Sequence, residues 1–152
     1  MNATPRRASM SFVDENRSVH CLAYMWIQTD AGRATSKRKA QRNDCTVRAL
    51  AIARKLPYDT AYDILKAAGR VSGRGFDFAQ WINDQPWATK LSFPAVKGKR
   101  RMTPAQFCQD YPAGVYILRA AKHVIAVCDG VLHDTFENSP DRCIYGAWRI
   151  TL

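Results

Sequence analysis

The chain has 152 residues, 47% hydrophobic and 24% charged, which suits one folded domain with its own core and excludes a disordered or collagen-like chain. Twenty-three basic and 13 acidic side chains give a net charge of +10. No apolar run reaches the ~18 residues of a membrane span, and no apolar segment of signal-peptide length follows Arg6 and Arg7, so the cytoplasm is the expected compartment.

In chain order, residues 1–11 read as a frayed polar tail. Ser18 to Thr29, rich in β-branched and aromatic residues, predicts a strand, turned by Asp30-Ala31-Gly32. Ala34 to Arg42 reads as a polar, basic linker. The first helix starts near Asp44, with Val47, Leu50 and Ala51 on its apolar face and Arg54 and Lys55 on its basic face, and ends before Pro57. Further helices are predicted from about Asp59 to Ala68, with Gly69 as a stop, and from Phe76 to Asn83. Residues 88–93 form a short strand and Val96 to Met102 a loop. Thr103 caps a helix whose first residue is Pro104 and which stops near Asp110, before Pro112. Strands follow over Val115–Arg119, His123–Cys128, Val131–Thr135 and Ile144–Ile150, the middle two joined by Asp129-Gly130, a strong hairpin signal. Helices first and an antiparallel sheet second define an α+β domain. Residues 1–42 contribute an N-terminal strand and basic linker, and residues 43–152 the main body of what is a single compact domain overall.

Residues 1–42 hold eight basic and three acidic groups, residues 43–112 eleven and six, and residues 113–152 four and four, so the charge excess lies in the first three quarters. Lys37, Arg38 and Lys39 with Arg42, and Lys97, Lys99, Arg100 and Arg101, read as exposed basic loops. Such loops serve solubility or attract nucleic acid or an acidic protein surface, and charge alone does not choose between these. The five cysteines, Cys21, Cys45, Cys108, Cys128 and Cys143, show no ligand spacing for zinc, and their odd number in the expected compartment points to free thiols. Cys108 and Cys128 sit in apolar runs and read as small buried hydrophobes. No metal or organic cofactor is implied.

Cys45 is the candidate for chemistry. A thiol at the start of a helix faces unpaired backbone N–H groups and the positive end of the helix, and both favour the thiolate. His123 begins a strand, and Asp134 lies on the returning arm of the hairpin, so a tight turn brings these two side by side. His123 is then the base for the thiol and Asp134 its orienting carboxylate, a nucleophile, base and orienter in the pattern of thiol hydrolysis. His20 lacks a suited acidic neighbour, and alternation along the strand sends His133 and Asp134 to opposite faces. Asp44 reads as a helix cap or first-turn acid. Trp81, Trp87, Tyr111, Phe136, Tyr145 and Trp148 are candidates to line a cleft or fill the core, and Tyr58 and Tyr62 read as packing.

The stretch from Asn43 to Ala53, opening Asn-Asp-Cys-Thr, resembles the nucleophile helix of papain-like cysteine peptidases, and looks closest to the compact C39-like group, whose helix opens with an Asp-Cys pair. The stretch from His123 to Thr135 resembles that group's His strand and the Asp that follows. Similar modules occur in bacteriophage proteins. The resemblance implies a papain-like fold over residues 43–152, with Cys45 as nucleophile, His123 as general base and Asp134 as orienting residue. In the family a Gly commonly follows the Cys and a Gln six residues before it stabilises the oxyanion. Here Thr46 and Lys39 stand in those places, and Gln41, Asn43 or the Cys45 backbone N–H are the candidate donors. The expected function is a thiol hydrolase cleaving a peptide or isopeptide bond, with acyl transfer and deamidation open to the same site, in a host cytoplasm or virion. The alternative is a basic phage protein that binds nucleic acid or a host protein on the same fold with an inactive site.

Overall fold

The structure is a computed structural model that describes residues 4–13, 19–139 and 142–152. Strands β1 (Arg6–Val13) and β2 (Val19–Gln28) come first, followed by a single 3-10 turn at Arg33–Thr35. Helices α1 (Cys45–Arg54), α2 (Tyr58–Ala67) and α3 (Phe78–Asn83) precede β3 (Ala88–Ser92) and α4 (Pro104–Asp110). Strands β4 (Val115–Ala120), β5 (His123–Cys128), β6 (Val131–Asp134) and β7 (Ile144–Ile150) complete the described elements.

The element boundaries follow local chemistry. Thr103 accepts from the Gln106 N–H while the Gln106 side chain accepts from the Thr103 N–H, a full capping box ahead of Pro104. Asp77 accepts from the Gln80 N–H, so α3 starts at Phe78, two residues later than the apolar pattern suggests. At the end of α1, Lys55 takes a left-handed conformation and the Leu56 N–H donates back to the Ala51 carbonyl, which stops the helix before Pro57. Asp129 (φ 48) and Gly130 (φ 74) make the β5–β6 turn. A Cβ at Gly130 would also stand 3.3 Å from the Cys108 carbonyl oxygen, so glycine is required there for two reasons.

Among the described residues the strands form one seven-stranded sheet in the order β1-β2-β6-β5-β4-β7-β3. The central strands are buried on both faces. Ile117, Val124, Ala126 and Trp148 point into a core with α1, α2 and α3. Tyr116, Leu118, Ile125, Val127 and Leu132 point into a second core with Ala105, Phe107 and Cys108 of α4. Alternate residues therefore serve opposite layers, which is why β4 and β5 read as continuous apolar runs.

Two expectations change. Of the expected frayed tail over residues 1–11, residues 1–3 lie outside the described ones, and from Arg6 onward the chain is a strand, since Arg6–Val13 pairs along its length with β2 from Arg6↔Trp26 to Val13↔Val19. The alternation Ser9, Met10, Ser11, Phe12 is the period-two signal of that strand. Nor is the sheet wholly antiparallel and C-terminal. β2 runs parallel to β6, from Met25↔Val131 to Gln28↔Asp134, and the sheet is mixed. The short strand β6 pairs on one side with β5 and offers its other edge to β2. The Thr29 N–H then donates to the Asp134 carbonyl at 2.8 Å, so the N-terminal segment anchors the backbone of a candidate site residue.

Candidate active site

Cys45 is the first residue of α1, at the rim of the sheet where β5 begins. Asn43, just before it, has φ 51, a left-handed conformation that asparagine tolerates better than most residues. Asp44 occupies the cap position, but its carboxylate does not cap. It is turned inward, where it accepts from Arg33 at 2.9 Å, from Arg48 Nε at 3.0 Å and from the Tyr58 hydroxyl at 2.7 Å. The first-turn N–H groups of α1 therefore keep no side-chain acceptor from their own cap residue, and lie beside the thiol.

His123 opens β5 and Asp134 closes β6, so the hairpin brings these two strand ends together beside the start of α1. His123 Nε2 lies 2.6 Å from Asp134 Oδ2. The other ring nitrogen, Nδ1, is not engaged by Asp134, and the Cys45 thiol and the His123 ring line the same cleft, where each favours the charged form of the other. Burial opposes charge on each group, but pairing outweighs it. Burial pushes the Cys45 thiol up, while the His123 hydrogen bond, the Val124 backbone N–H and the charges of His123 and Arg48 bring it below its ordinary value. Burial lowers His123, while hydrogen bonds to Asp134 and Cys45 and the charges of both push it up to about 9. Asp134 is held below the usual carboxylate range in spite of burial, by His123, Arg48 and the Thr135 N–H. The shifts of both groups favour the charged pair, a thiolate facing an imidazolium, more than either group would favour its charged form alone.

Asp134 is saturated with donors. Oδ1 accepts from Arg48 Nη1 and the Thr135 N–H, each at 2.8 Å, and Oδ2 accepts from Asn138 Nδ2 at 3.1 Å besides facing His123. Arg48 is buried and spans Asp44 and Asp134, so one guanidinium ties the start of α1 to the end of β6. The ring of Phe136, 45% exposed, lies 5.3 Å from the His123 ring and covers it from solvent.

The sequence reading missed Arg48, Asn138, Arg33 and Tyr58. Tyr58 packs in the core as expected, and its hydroxyl also donates to Asp44. Only the Asp44–Arg48 pair, at i,i+4 on one helix, carried a local signal. His133 turns away from the site as alternation requires, with its Nδ1 3.0 Å from the Val131 carbonyl. The His20 and Cys21 side chains lie outside the described ones. Cys108 is buried and its thiol is pushed up to about 12, whereas Cys128 is only half-buried.

A cleft of about 1460 Å³ opens over Cys45 and His123, lined also by Gln41, Asn43 and Lys39. Gln41 Oε1 accepts from Ser72 at 2.9 Å, which leaves its amide N–H groups as donors. Of the aromatic candidates, Phe136 and the buried Trp148 line this cleft, Tyr145 lines a smaller hollow, and Trp81 and Trp87 pack against the α1–α3 core. Tyr111 stacks on Phe107.

The two basic loops differ. Arg38 is committed to Asp59 at 2.7 Å and Asp63 at 2.6 Å and lies over the Tyr62 ring, and the Lys37 N–H donates to Asp59, so this segment is fastened to α2 instead of forming a free linker. Lys97, Lys99 and Arg100 are exposed but do not line the cleft. Arg101 bonds the Phe93 carbonyl and covers Tyr145. Among the described residues no group of three or more His, Cys, Asp or Glu side chains is arranged to hold a metal ion, and no helix is long and apolar enough to cross a membrane.

Comparison with protein families, curated proteins and solved structures finds no match to this chain. The fold is mixed, with four helices and a seven-stranded sheet among the described residues.

Proposed function

We propose that the protein is a thiol hydrolase of papain-like arrangement, acting on a peptide or isopeptide bond through Cys45, His123 and Asp134. The observation that carries this reading is the position of His123, 2.6 Å from Asp134 on one side and sharing the cleft wall with a thiol at a helix start on the other. The Cys45 thiolate adds to the substrate carbonyl carbon. The negative oxygen so formed is met by the Cys45 backbone N–H and by a side-chain amide of Gln41 or Asn43. The C–N bond then breaks as His123 gives its proton to the leaving nitrogen, and a thioester remains. Water adds to the thioester while His123 takes a proton from it, the C–S bond breaks, and the thiol is restored. An amine in place of water gives acyl transfer, and a side-chain amide as substrate gives deamidation, by the same steps.

Asp134 holds the imidazole with Nδ1 toward the sulfur and stabilises its charged form. Arg48 and Asn138 fix Asp134, and Phe136 limits water around the ring.

The test is the pH dependence of Cys45 alkylation by iodoacetamide, in the native protein and in His123→Ala. The expected profile shows a thiolate persisting well below pH ~8.5, the ordinary thiol value, and a shift upward in the variant. A titration near the ordinary value that ignores His123 would make Cys45 a structural cysteine.

A further inference from the structure

We infer that the cleft takes a peptide segment rich in carboxylates, and that the charge of its walls, more than any apolar pocket, sets which substrates reach Cys45. This deepens the proposed thiol-hydrolase reading and rests on it. Three stretches of chain each supply two cations to the cleft: Lys39 and Arg42 before Cys45, Arg70 and Arg74 after α2, and Arg119 and Lys122 around the β4–β5 turn. Arg33 and Arg48 also border it but are paired with Asp44 and Asp134. Among the described residues, none of the six has a carboxylate partner. The other acidic residue in the cleft wall, Asp77, is turned to the N–H of Gln80.

Five of the six are exposed, but Arg70 is only 6% exposed. A buried guanidinium is ordinarily matched by a carboxylate, because leaving water costs it several kcal/mol. The Arg70 guanidinium donates one hydrogen bond, at 3.3 Å to the Asn43 carbonyl, and lies 5.5 Å from the Tyr62 ring centre. Its other guanidinium donors are not among the buried groups left without a partner and keep some contact with the water of the cleft, beside the backbone that leads into Cys45. A substrate carboxylate supplies the matching acceptor.

Nucleic acid would also answer to positive charge, but two observations favour peptide. The reacting group at the centre of the cleft is suited to an acyl carbon, which a phosphodiester lacks. Single-stranded nucleic acids are also held by stacking on exposed rings, and here Trp148 is buried with its indole N–H on Asn83, as is Phe78. Phe76 is half-buried against the α1–α3 core, and Phe136, the one exposed ring among the described residues of the cleft, lies against His123.

The experiment uses the full chain and a fluorescein-labelled peptide of alternating Glu and Gly, with a Gln-Gly twin. Anisotropy gives affinity, and the rate of Cys45 alkylation by iodoacetamide shows whether the bound peptide covers the thiol. The Glu peptide is expected to bind at least about tenfold more tightly than its twin, and to lose that margin between about 50 and about 500 mM NaCl. It is also expected to slow Cys45 alkylation, and Arg42→Gln with Arg74→Gln should bring the ratio of the two affinities toward one. Equal binding of the twins overturns the inference, as does a Glu peptide that binds without slowing alkylation. An oligothymidylate that protects Cys45 where the Glu peptide does not assigns the cations to nucleic acid and also overturns it. The pH profile of alkylation without peptide separates this failure from that of the thiol-hydrolase reading: a poised thiol with no preference for Glu sinks only the substrate class, and an ordinary thiol sinks both.

Discussion

Arg48 Nη1 stands 2.8 Å from Asp134 Oδ1 inside the protein, 86 residues away along the chain. The same guanidinium reaches Asp44 through Nε at 3.0 Å. With both partners buried, the pair has been taken out of water, and the hydrogen bonds on every side offset that cost only while the set is complete. Its consequence is positional: Asp134 cannot swing away from His123 without taking from a buried arginine one of its two carboxylates.

Arg48→Ala should therefore lower the free energy of unfolding by about 3–5 kcal/mol, the usual effect of removing one partner of a buried pair. Arg48→Lys should recover only part of it, since one ammonium does not reproduce a fork that spans two carboxylates. Urea denaturation measures both. A loss below about 1 kcal/mol for Arg48→Ala would place the pair among weak surface bridges.

The thiol and imidazole make opposite demands on stability as pH changes. His123 is raised in the folded state, so its contribution is complete below its unfolded value of about 6.5 and is lost as pH rises through about 9. Cys45 is lowered, so its contribution is present above its unfolded value and is lost as pH falls through the folded one. Where the two windows overlap the slopes have opposite sign, so the gain from Cys45 with rising pH offsets part of the loss from His123. Cys45→Ser removes the second effect while Asp134 still raises His123. The variant should lose stability with rising pH between about 6.5 and about 9, by up to about 1.4 kcal/mol per pH unit, and more steeply than the native protein does. Parallel curves for the two proteins would show that no proton passes from Cys45 to His123 on folding.

What was legible in the sequence was local. The closeness of His123 and Asp134 follows from a two-residue turn and strand alternation, and Asp129-Gly130 states that turn openly. The helix start at Cys45 is likewise written in its neighbours. Arg48 was not legible as a site residue, because its second carboxylate lies on β6 and only tertiary packing brings it near. Asn138, in the loop after β6, reaches Asp134 by the same kind of fold-level placement. The parallel pairing of β2 with β6 joins residues about a hundred positions apart, and nothing in Val19–Gln28 specifies that partner. Strand β1 was overlooked because four alternating residues in a polar segment are a short signal.

The cysteines should separate by reactivity. Cys45 is lowered by its partners, whereas burial pushes Cys108 up to about 12 and Cys128 also upward. At neutral pH iodoacetamide should modify Cys45 before either of the others, and peptide mapping after partial labelling reads the order. Asp134→Asn should slow labelling less than His123→Ala does, yet reduce turnover by about 10⁴-fold if the misdirected imidazole behaves as in other triads. Labelling of Cys128 ahead of Cys45 would remove the basis for calling Cys45 poised.

Gln41 and Asn43 offer different answers to the missing oxyanion donor. Asn43 holds a left-handed backbone, so Asn43→Ala should cost about 1 kcal/mol of stability while Asn43→Gly keeps most of it. If the backbone alone matters, Asn43→Gly also keeps turnover. Gln41 is fixed through its Oε1 by Ser72, which leaves the N–H end of the amide to the cleft. Gln41→Ala should then reduce turnover by about 10²–10³-fold, the usual cost of one such donor. The pH profile of Cys45 alkylation should stay where it was, because the donor acts on the substrate oxygen and not on the thiol. Turnover is read with whichever peptide the binding experiment selects. Full turnover in Gln41→Ala, with a loss in Asn43→Gly, would move the oxyanion donor to the Asn43 side chain.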